Sequence, residues 1–462
     1  MAKRIKSGGL LLVLAVLFLG MFAAFGPGIY NDSDQYIKMH IHREPLYPLF
    51  LASLRAVFGE AWLTAMGIIQ NLLAATSIWL FAEYVMKQFS LRFWEEAIVV
   101  LLGLMPHMIT KYVSSLHLFI TNSVMSEALC IPLFTLFLLE CFKVLAEEKS
   151  SAQRAAWISL ALAFLLSLTR SQMMLTLLMW AVIAIVKIII TKSKKGGVIL
   201  RIAAVFIIVA VAFLARTTAV KSYNLIFNGR FINNTYGTVN TLTNILYASD
   251  REDGENIKDE EAREFFYRMY DLTEERRANY RYAGDSWQDK VEHIEQWHDT
   301  VKYEMIEDVF YQTYDKTVTN DYITQNLMAD ETAGKIIAGI LPKCFGRWSG
   351  NYLLIASYGL IRSIAVVHPV INWIALFLYL SAIVMTVWTV RRTLKEEGRI
   401  GSSAWLMVLS LLAIAANVFG VSLTIMALSR YMIYGFSAFY TAYFILIIEW
   451  MRRSKKSWAI KN

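Results

Sequence analysis

The chain has 462 residues, of which 56% are hydrophobic and only 18% charged, with a mean hydropathy of +0.44. Soluble proteins run at about 45–50% apolar and about 25% charged, so a water-soluble fold has nowhere to put this much apolar surface. A secreted disulfide scaffold, a disordered tail protein and an ordinary cytosolic enzyme are excluded, and an all-α polytopic membrane protein is left. The net charge of +8 comes from two unlike parts. Arg216–Arg362 holds 17 basic and 23 acidic residues, which leaves 28 basic and 14 acidic for the rest. A basic total of this kind points to the positive-inside rule and not to nucleic acid.

A membrane helix needs about 20 mostly apolar residues. In chain order the segments that qualify are Gly9–Gly26, Ala61–Ala82, Ala97–Tyr112, Met125–Leu145, Ala155–Leu168, Met173–Ile190, Val198–Leu214, Ala365–Val390, Ala404–Leu428 and Tyr431–Trp450. About ten transmembrane helices are therefore expected. No small-x-small cleavage site follows the first segment, which reads as an anchor. The run Tyr112–Met125 is broken by polar residues and reads as re-entrant or interfacial.

With both termini cytoplasmic, 22 of those 28 basic residues fall in inner loops. They are Lys3, Arg4, Lys6, Lys87, Arg92, Lys143, Lys149, Arg154, Lys187, Lys192, Lys194, Lys195, Arg201, Arg391, Arg392, Lys395, Arg399, Arg452, Arg453, Lys455, Lys456 and Lys461. This expects a multi-pass protein of the cell membrane. Three parts are expected: a transmembrane module over 1–215, an extracytoplasmic and mainly helical domain over 216–362, and a second transmembrane module over 363–462. In the middle part, Ile257–Tyr270 and Ser286–Tyr311 carry helical spacing, Thr273-Glu-Glu reads as a helix start, and Asn228–Asn244 reads as loop. Trp348, Tyr352 and Tyr358 suit an aromatic belt better than sugar stacking. Cys130, Cys141 and Cys344 read as small buried hydrophobes.

Six cations fall on the outer side against the charge bias: Lys38, Arg43, Arg55, Lys111, Arg170 and Arg430. Such residues are candidates for function. The first outer loop, Tyr30 to Phe50, adds Asp32, Asp34, Tyr36, His40 and His42 at the same surface. An anionic head group and a hydroxyl acceptor would use this set, with a carboxylate taking the acceptor proton and the cations holding phosphate. Asp32-Ser-Asp-Gln35 equally fits a capping box, with Asp32 as N-cap. In extended chain Asp32-x-Asp34 could bind a divalent cation; on a helix the two diverge by about 200°, and no full ligand set supports a metal. His40 and His42 read as interfacial. Ser126-Glu127 heads the fourth segment, and Glu140 lies deeper in it. Arg170 and Arg430-Tyr431 sit in very short outer turns. There is no Walker A sequence, dinucleotide glycine fingerprint, HExxH or GxSxG.

These pieces, in this order, resemble the polyprenyl-phosphate-sugar-dependent glycosyltransferases of the GT-C superfamily, bacterial relatives of protein mannosyltransferases. The resemblance runs from the first helix to about Ile190. It is carried by Asp32-Ser-x-x-Tyr36, Arg43-x-Pro-Leu-Tyr-Pro-Leu-Phe, Gln70-Asn-Leu-Leu, Ser126-Glu127 and Leu-Thr-Arg170, with Arg430-Tyr431 near the last helices. It implies a sugar on a polyprenyl phosphate as donor and a glycan, lipid or protein hydroxyl of the cell envelope as acceptor. It implies Asp32, with Asp34 as second choice, as general base in an inverting transfer. Tyr36, Lys38, Arg43, Lys111, Glu127, Arg170, Arg430 and Tyr431 would bind substrate. The rival classes are a transporter or flippase of lipid-linked glycans, and a surface-polysaccharide polymerase or ligase.

Overall fold

A computed structural model describes residues 7–30, 32–113, 117–191, 195–317 and 321–461. Lys3, Arg4, Lys6, Lys192 and Lys194, expected in inner loops, lie outside the described residues, as do Ser114, Ser115 and Leu116 of the polar-broken run. The protein is an all-α polytopic membrane protein. Among the described residues there is no strand, only one isolated parallel bridge between Gly28 and Ser123.

Nine helices among the described residues are long and apolar enough to cross a membrane. They lie in α1 (Ser7–Phe25), α3 (Leu46–Phe58) running on into α4 (Trp62–Gln88), α5 (Phe93–Tyr112), α6 (Glu127–Ala146), α8 (Leu175–Ile190), α9 (Lys195–Asn228), α15 (Pro369–Glu397), α16 (Ser402–Val421) and the stretch Ser429–Arg453. The last holds α17 (Ser429–Met432) and most of α18 (Phe436–Lys461). The segment expected at Ala155–Leu168 is helix α7 (Lys149–Ser167), whose first turns are too polar to count by composition. It nevertheless runs antiparallel to α8: Trp180 Nε1 donates to Ala156 O at 2.8 Å, and Thr176 Oγ1 to Ala163 O at 3.1 Å. It thus links the end of α6 to the start of α8 as a crossing would. Large apolar side chains stand exposed along α9 and α15, Leu200, Phe206, Ile207, Trp373, Phe377 and Val384 among them. Rows of exposed apolar groups fit a lipid-facing surface.

Helix α3 is a difference from expectation. Its start lies within the stretch read as the first outer loop, and Pro45 and Pro48 both sit at the helix start, where a missing N–H costs little. Tyr47, Pro48, Leu51 and Leu54 face inward, packed with Tyr36, Met66, Val124 and Leu129.

The chain divides into two compact units, one of 1–229, 363–417 and 429–462, the other of 230–362 and 418–428. The second unit is built from α10 (Gly237–Tyr247), α11 (Glu260–Glu275), α12 (Trp287–Thr300), a π-helical turn at Val301–Glu307, α13 (Asp308–Thr317) and most of α14 (Tyr322–Ile364). Its core gathers Leu242, Leu246, Phe266, Met269, Met305, Phe310, Ile336 and Ile340. Two expectations are corrected here. Asn228–Asn244 is not all loop, because Val239, Leu242, Ile245 and Leu246 give α10 a buried face despite its Thr and Asn. Thr273 does not start a helix: it lies near the end of α11, where its hydroxyl bonds back to Tyr270 O at 2.7 Å.

Candidate functional site

The first outer loop is tied to the loop before α6. Gly28 donates its N–H to Asn122 O at 2.8 Å and accepts from Val124 N at 2.9 Å. A side chain at Gly28 would meet Ser123 Oγ at 3.1 Å, so the close approach favours glycine. Ser33 Oγ accepts from Tyr30 N at 2.7 Å and donates to Val124 O at 2.9 Å. From below, Gln70 Nε2 donates to Thr121 O at 3.0 Å and to Ser123 O at 3.2 Å. Asn71 Nδ2 donates to Thr121 O at 3.2 Å and Asn122 Oδ1 at 3.0 Å. Tyr47 Oη donates to Gln70 Oε1 at 2.9 Å. All are buried, so the Gln70-Asn71 pair braces the turn that presents Ser126 and Glu127.

Onto this frame the chain brings residues that are distant in sequence. Asp32 sits just before the short helix α2 (Ser33–Ile37). Its carboxylate lies 3.0 Å from Arg43 Nη2 and 3.8 Å from Arg430 Nη1. Arg43 also donates to Tyr36 Oη at 3.3 Å and, through Nε, to Gln35 Oε1 at 2.7 Å. Tyr36 Oη and Ser126 Oγ share a hydrogen bond of 2.9 Å. Arg170 reaches the same Ser126 Oγ at 3.2 Å and pairs with Glu127 at 2.5 Å. Arg430 donates to Tyr431 Oη at 2.5 Å and lies over that ring, as does Arg170 from 5.0 Å. Asp32, Tyr36, Arg43, Glu127, Arg170, Arg430 and Tyr431 therefore form one cluster within the first unit.

The expected capping box does not form. Asp32 makes no side-chain cap hydrogen bond, and Gln35 accepts from Arg43 and pairs with His42 Nε2 at 2.8 Å. The five-residue helix is too short for its cap to compete with two guanidiniums. Asp34 and Lys38 leave the cluster and pair with each other at 2.8 Å. Lys111 is apart as well: it donates to His117 O at 3.0 Å and lies over Phe25 and Phe119. Arg55 donates to Ile37 O at 2.9 Å and holds the end of α2. Glu140 pairs with Lys143 at 2.6 Å. His40 and His42 meet edge to face at 5.4 Å, and no group of three metal-ligating residues occurs among the described residues.

A second polar layer escaped the sequence reading. Glu44 is buried, accepts from Ser171 Oγ at 3.0 Å and pairs with Arg216. Ser171 adjoins Arg170 and Glu44 adjoins Arg43, so this layer joins the two turns that carry arginines. Leu46 N to Leu168 O at 2.8 Å joins them again through the backbone. On the other side, Gln172 Nε2 donates to Asn417 Oδ1 at 3.3 Å, and Asn417 Nδ2 to Tyr431 O at 2.5 Å. The one signal for Arg216 was a cation just beyond the apolar run Val198–Leu214 of α9, whereas Arg170 stood out as an outer cation in a very short turn.

The charges of the two layers do not balance. Arg43, Arg170, Arg216 and Arg430 face Asp32, Glu44 and Glu127, which leaves one positive charge over. The buried Arg430 Nε–H has no hydrogen-bond partner among the described residues. Burial alone would push the Asp32 carboxyl up, but the guanidiniums of Arg43, Arg430 and Arg170 outweigh it and hold the group below its ordinary 3.8. Asp32 is thus ionised at neutral pH, fixed in place and one-third exposed. Chemically, the arrangement offers an anion site made of guanidiniums next to a fixed carboxylate.

No protein-family model, curated protein or solved structure matches this chain.

Proposed function

We propose that this chain is an integral-membrane glycosyltransferase that moves a sugar from a polyprenyl-phosphate donor to a hydroxyl acceptor of the cell envelope. The observation that carries this reading is the surplus of guanidinium around one ionised carboxylate, with the Arg430 Nε–H buried and unpartnered. In this reading both termini are cytoplasmic, the membrane is the cell membrane, and the cluster faces the extracytoplasmic side.

The acceptor oxygen attacks the anomeric carbon from the face opposite the phosphate. The bond from that carbon to the phosphate oxygen breaks, and its electron pair leaves with the lipid phosphate. The acceptor proton passes to Asp32. A phosphate leaving group is a weak base and needs no general acid. It needs fixed positive charge where its own charge grows, which Arg43 and Arg430 supply. A donor phosphate competes with Asp32 for these two arginines. As they turn to it, the carboxylate loses its screening and binds a proton more readily, which suits it to its task when the donor is present. Glu127 holds Arg170 at the edge of the site. The enzyme reading is favoured over transport because the cluster is built around the first outer loop and the short outer turns, where a transporter would hold its charged groups near the bilayer midplane.

The test is sugar transfer from a radiolabelled polyprenyl-phosphate sugar by the purified, reconstituted protein. Asp32→Asn should lower kcat by about 10²–10⁴-fold, the usual contribution of a positioned base, with membrane insertion intact. Full activity in both Asp32→Asn and Asp34→Asn would remove this loop from the mechanism.

A further inference from the structure

The second unit holds a half-enclosed crevice lined by α10, α12, α14 and Ser422. It contains about 220 Å³ of empty space, too narrow as it stands to admit a water. Three polar atoms in its wall are buried and make no hydrogen bond among the described residues: Asn244 Nδ2, Asn351 Nδ2 and Ser422 Oγ. Asn244 is 6% exposed and Ser422 1%. Buried polar groups are nearly always paired, so three orphans around one crevice call for an explanation. The rest of the wall includes Trp348 and Tyr352, one helical turn apart, with rings nearly parallel at 5.8 Å. Tyr352 Oη donates to Phe419 O at 3.1 Å, which fixes its ring. Both rings are partly exposed, and entry of a ligand would require the Trp348 ring to turn outward. Among the described residues, no charged side chain lines the crevice.

We infer that this crevice binds a neutral carbohydrate. A pyranose offers an apolar face of C–H groups to an aromatic ring, and a ring of hydroxyl oxygens to nearby donors. The amides of Asn244 and Asn351 would donate to these hydroxyls, and Ser422 would exchange a hydrogen bond with one. A lipid chain would leave the three polar groups unpaired, and the uncharged wall gives an ionic ligand no partner. Use of the bound sugar as acceptor rests on the glycosyl-transfer reading, but the binding itself does not.

The experiment uses the full chain in a detergent without a sugar head group. Saturation-transfer NMR follows titration with cellotetraose, maltotetraose and chitotetraose, and with tetraalanine as the peptide comparison. At least one oligosaccharide should bind saturably. Trp348→Ala and Asn244→Ala should each weaken it about tenfold, the size of a lost stacking ring or buried hydrogen bond. Asp32→Asn should bind as the parent does, which separates this inference from the transfer reading. Thermal unfolding checks each variant, and Asn351→Ala, on a half-buried residue, replaces Asn244→Ala if the latter does not fold. The inference is overturned if none of the three sugars binds, if binding is unchanged in the folded variants, or if tetraalanine binds and the sugars do not.

Discussion

Two arginine–carboxylate networks in this chain use the same chemistry and differ in their arithmetic. In the second unit, Arg281 meets Asp250 at 2.5 Å, and Arg347 meets Asp250 at 3.0 Å and Asp253 at 2.6 Å. Two cations face two anions there, and Arg347 Nε also donates to Ala248 O at 2.9 Å, so the group closes a turn. In the first unit four arginines face three carboxylates, with an unpartnered N–H on Arg430. A balanced network is complete as it stands. An unbalanced, largely buried one is expensive unless an anion joins it. The difference separates structural ion pairs from a candidate site better than burial or distance does.

The largest effect should come from breaking the deepest pair of the unbalanced network. Glu44→Ala or Arg216→Ala each leaves a buried charge without its partner and should cost about 3–5 kcal/mol of stability. Glu44→Leu with Arg216→Met removes both charges and should recover most of that loss. Denaturation of the solubilised protein measures it. If the double variant were no better than the singles, the pair would not be a closed unit.

Next comes Arg430, the cation that the comparison leaves over and that the proposed function assigns to the donor phosphate. Arg430→Ala should lower kcat by about 10²–10³-fold, the range for removing one preorganised charge donor, with little change in stability. Its pH behaviour is a further check. The Asp32 pKa is lowered in the free protein, so the carboxylate is charged above its ordinary 3.8, and its pairing energy is lost only as pH falls through the lower folded value. The acidic limb of kcat/KM, which reports the free enzyme, should thus lie below 3.8. On the glycosyl-transfer reading, the limb of kcat, which would report the donor complex, should lie higher, because a donor phosphate would draw the arginines away. Coincident limbs would show that the phosphate does not compete for them.

The membrane helices and the five central charges were legible in the sequence for one physical reason. A long apolar run has few other fates, and a charge at its end is costly enough to stand out. That rule marked Arg43, Arg170, Arg430 and Glu127, and composition marked Asp32 beside them. It could not tell Asp32 from Asp34, because direction around a short helix decides between them and spacing gives only the angle. It could not link Glu44 to Arg216, which are 172 residues apart. It placed Lys111 with the cluster because an outer cation has the same signature whether it meets a carboxylate or, as here, the His117 carbonyl and two rings. Helix α10 was hidden by its Asn and Thr, and the start of α3 by its place within the polar stretch read as the first outer loop.

The balanced network should respond differently. Arg347→Ala removes two ion pairs and the bond to Ala248 O from partly buried partners. It should cost about 1.5–3 kcal/mol, the range for hydrogen bonds to charged groups. The loss should appear in hydrogen exchange of the second unit, around α10 and the turn Arg251–Asn256. Loss of transfer without loss of protection there would erase the distinction between the networks.

The smallest effect tests the comparison at its closest range. Asp34 and Lys38 sit one turn apart with side chains about 60% exposed, and both point away from Asp32's partners. Such a helical pair is worth about 0.3–0.5 kcal/mol and is screened by salt. Lys38→Ala and Asp34→Asn should therefore change stability by no more than that and leave kcat within about twofold, against the large loss from Asp32→Asn two residues earlier. Equal losses at Asp32 and Asp34 would mean that the loop acts as a whole, through its fold. Unequal losses would assign the chemistry to the one carboxylate that the arginines hold.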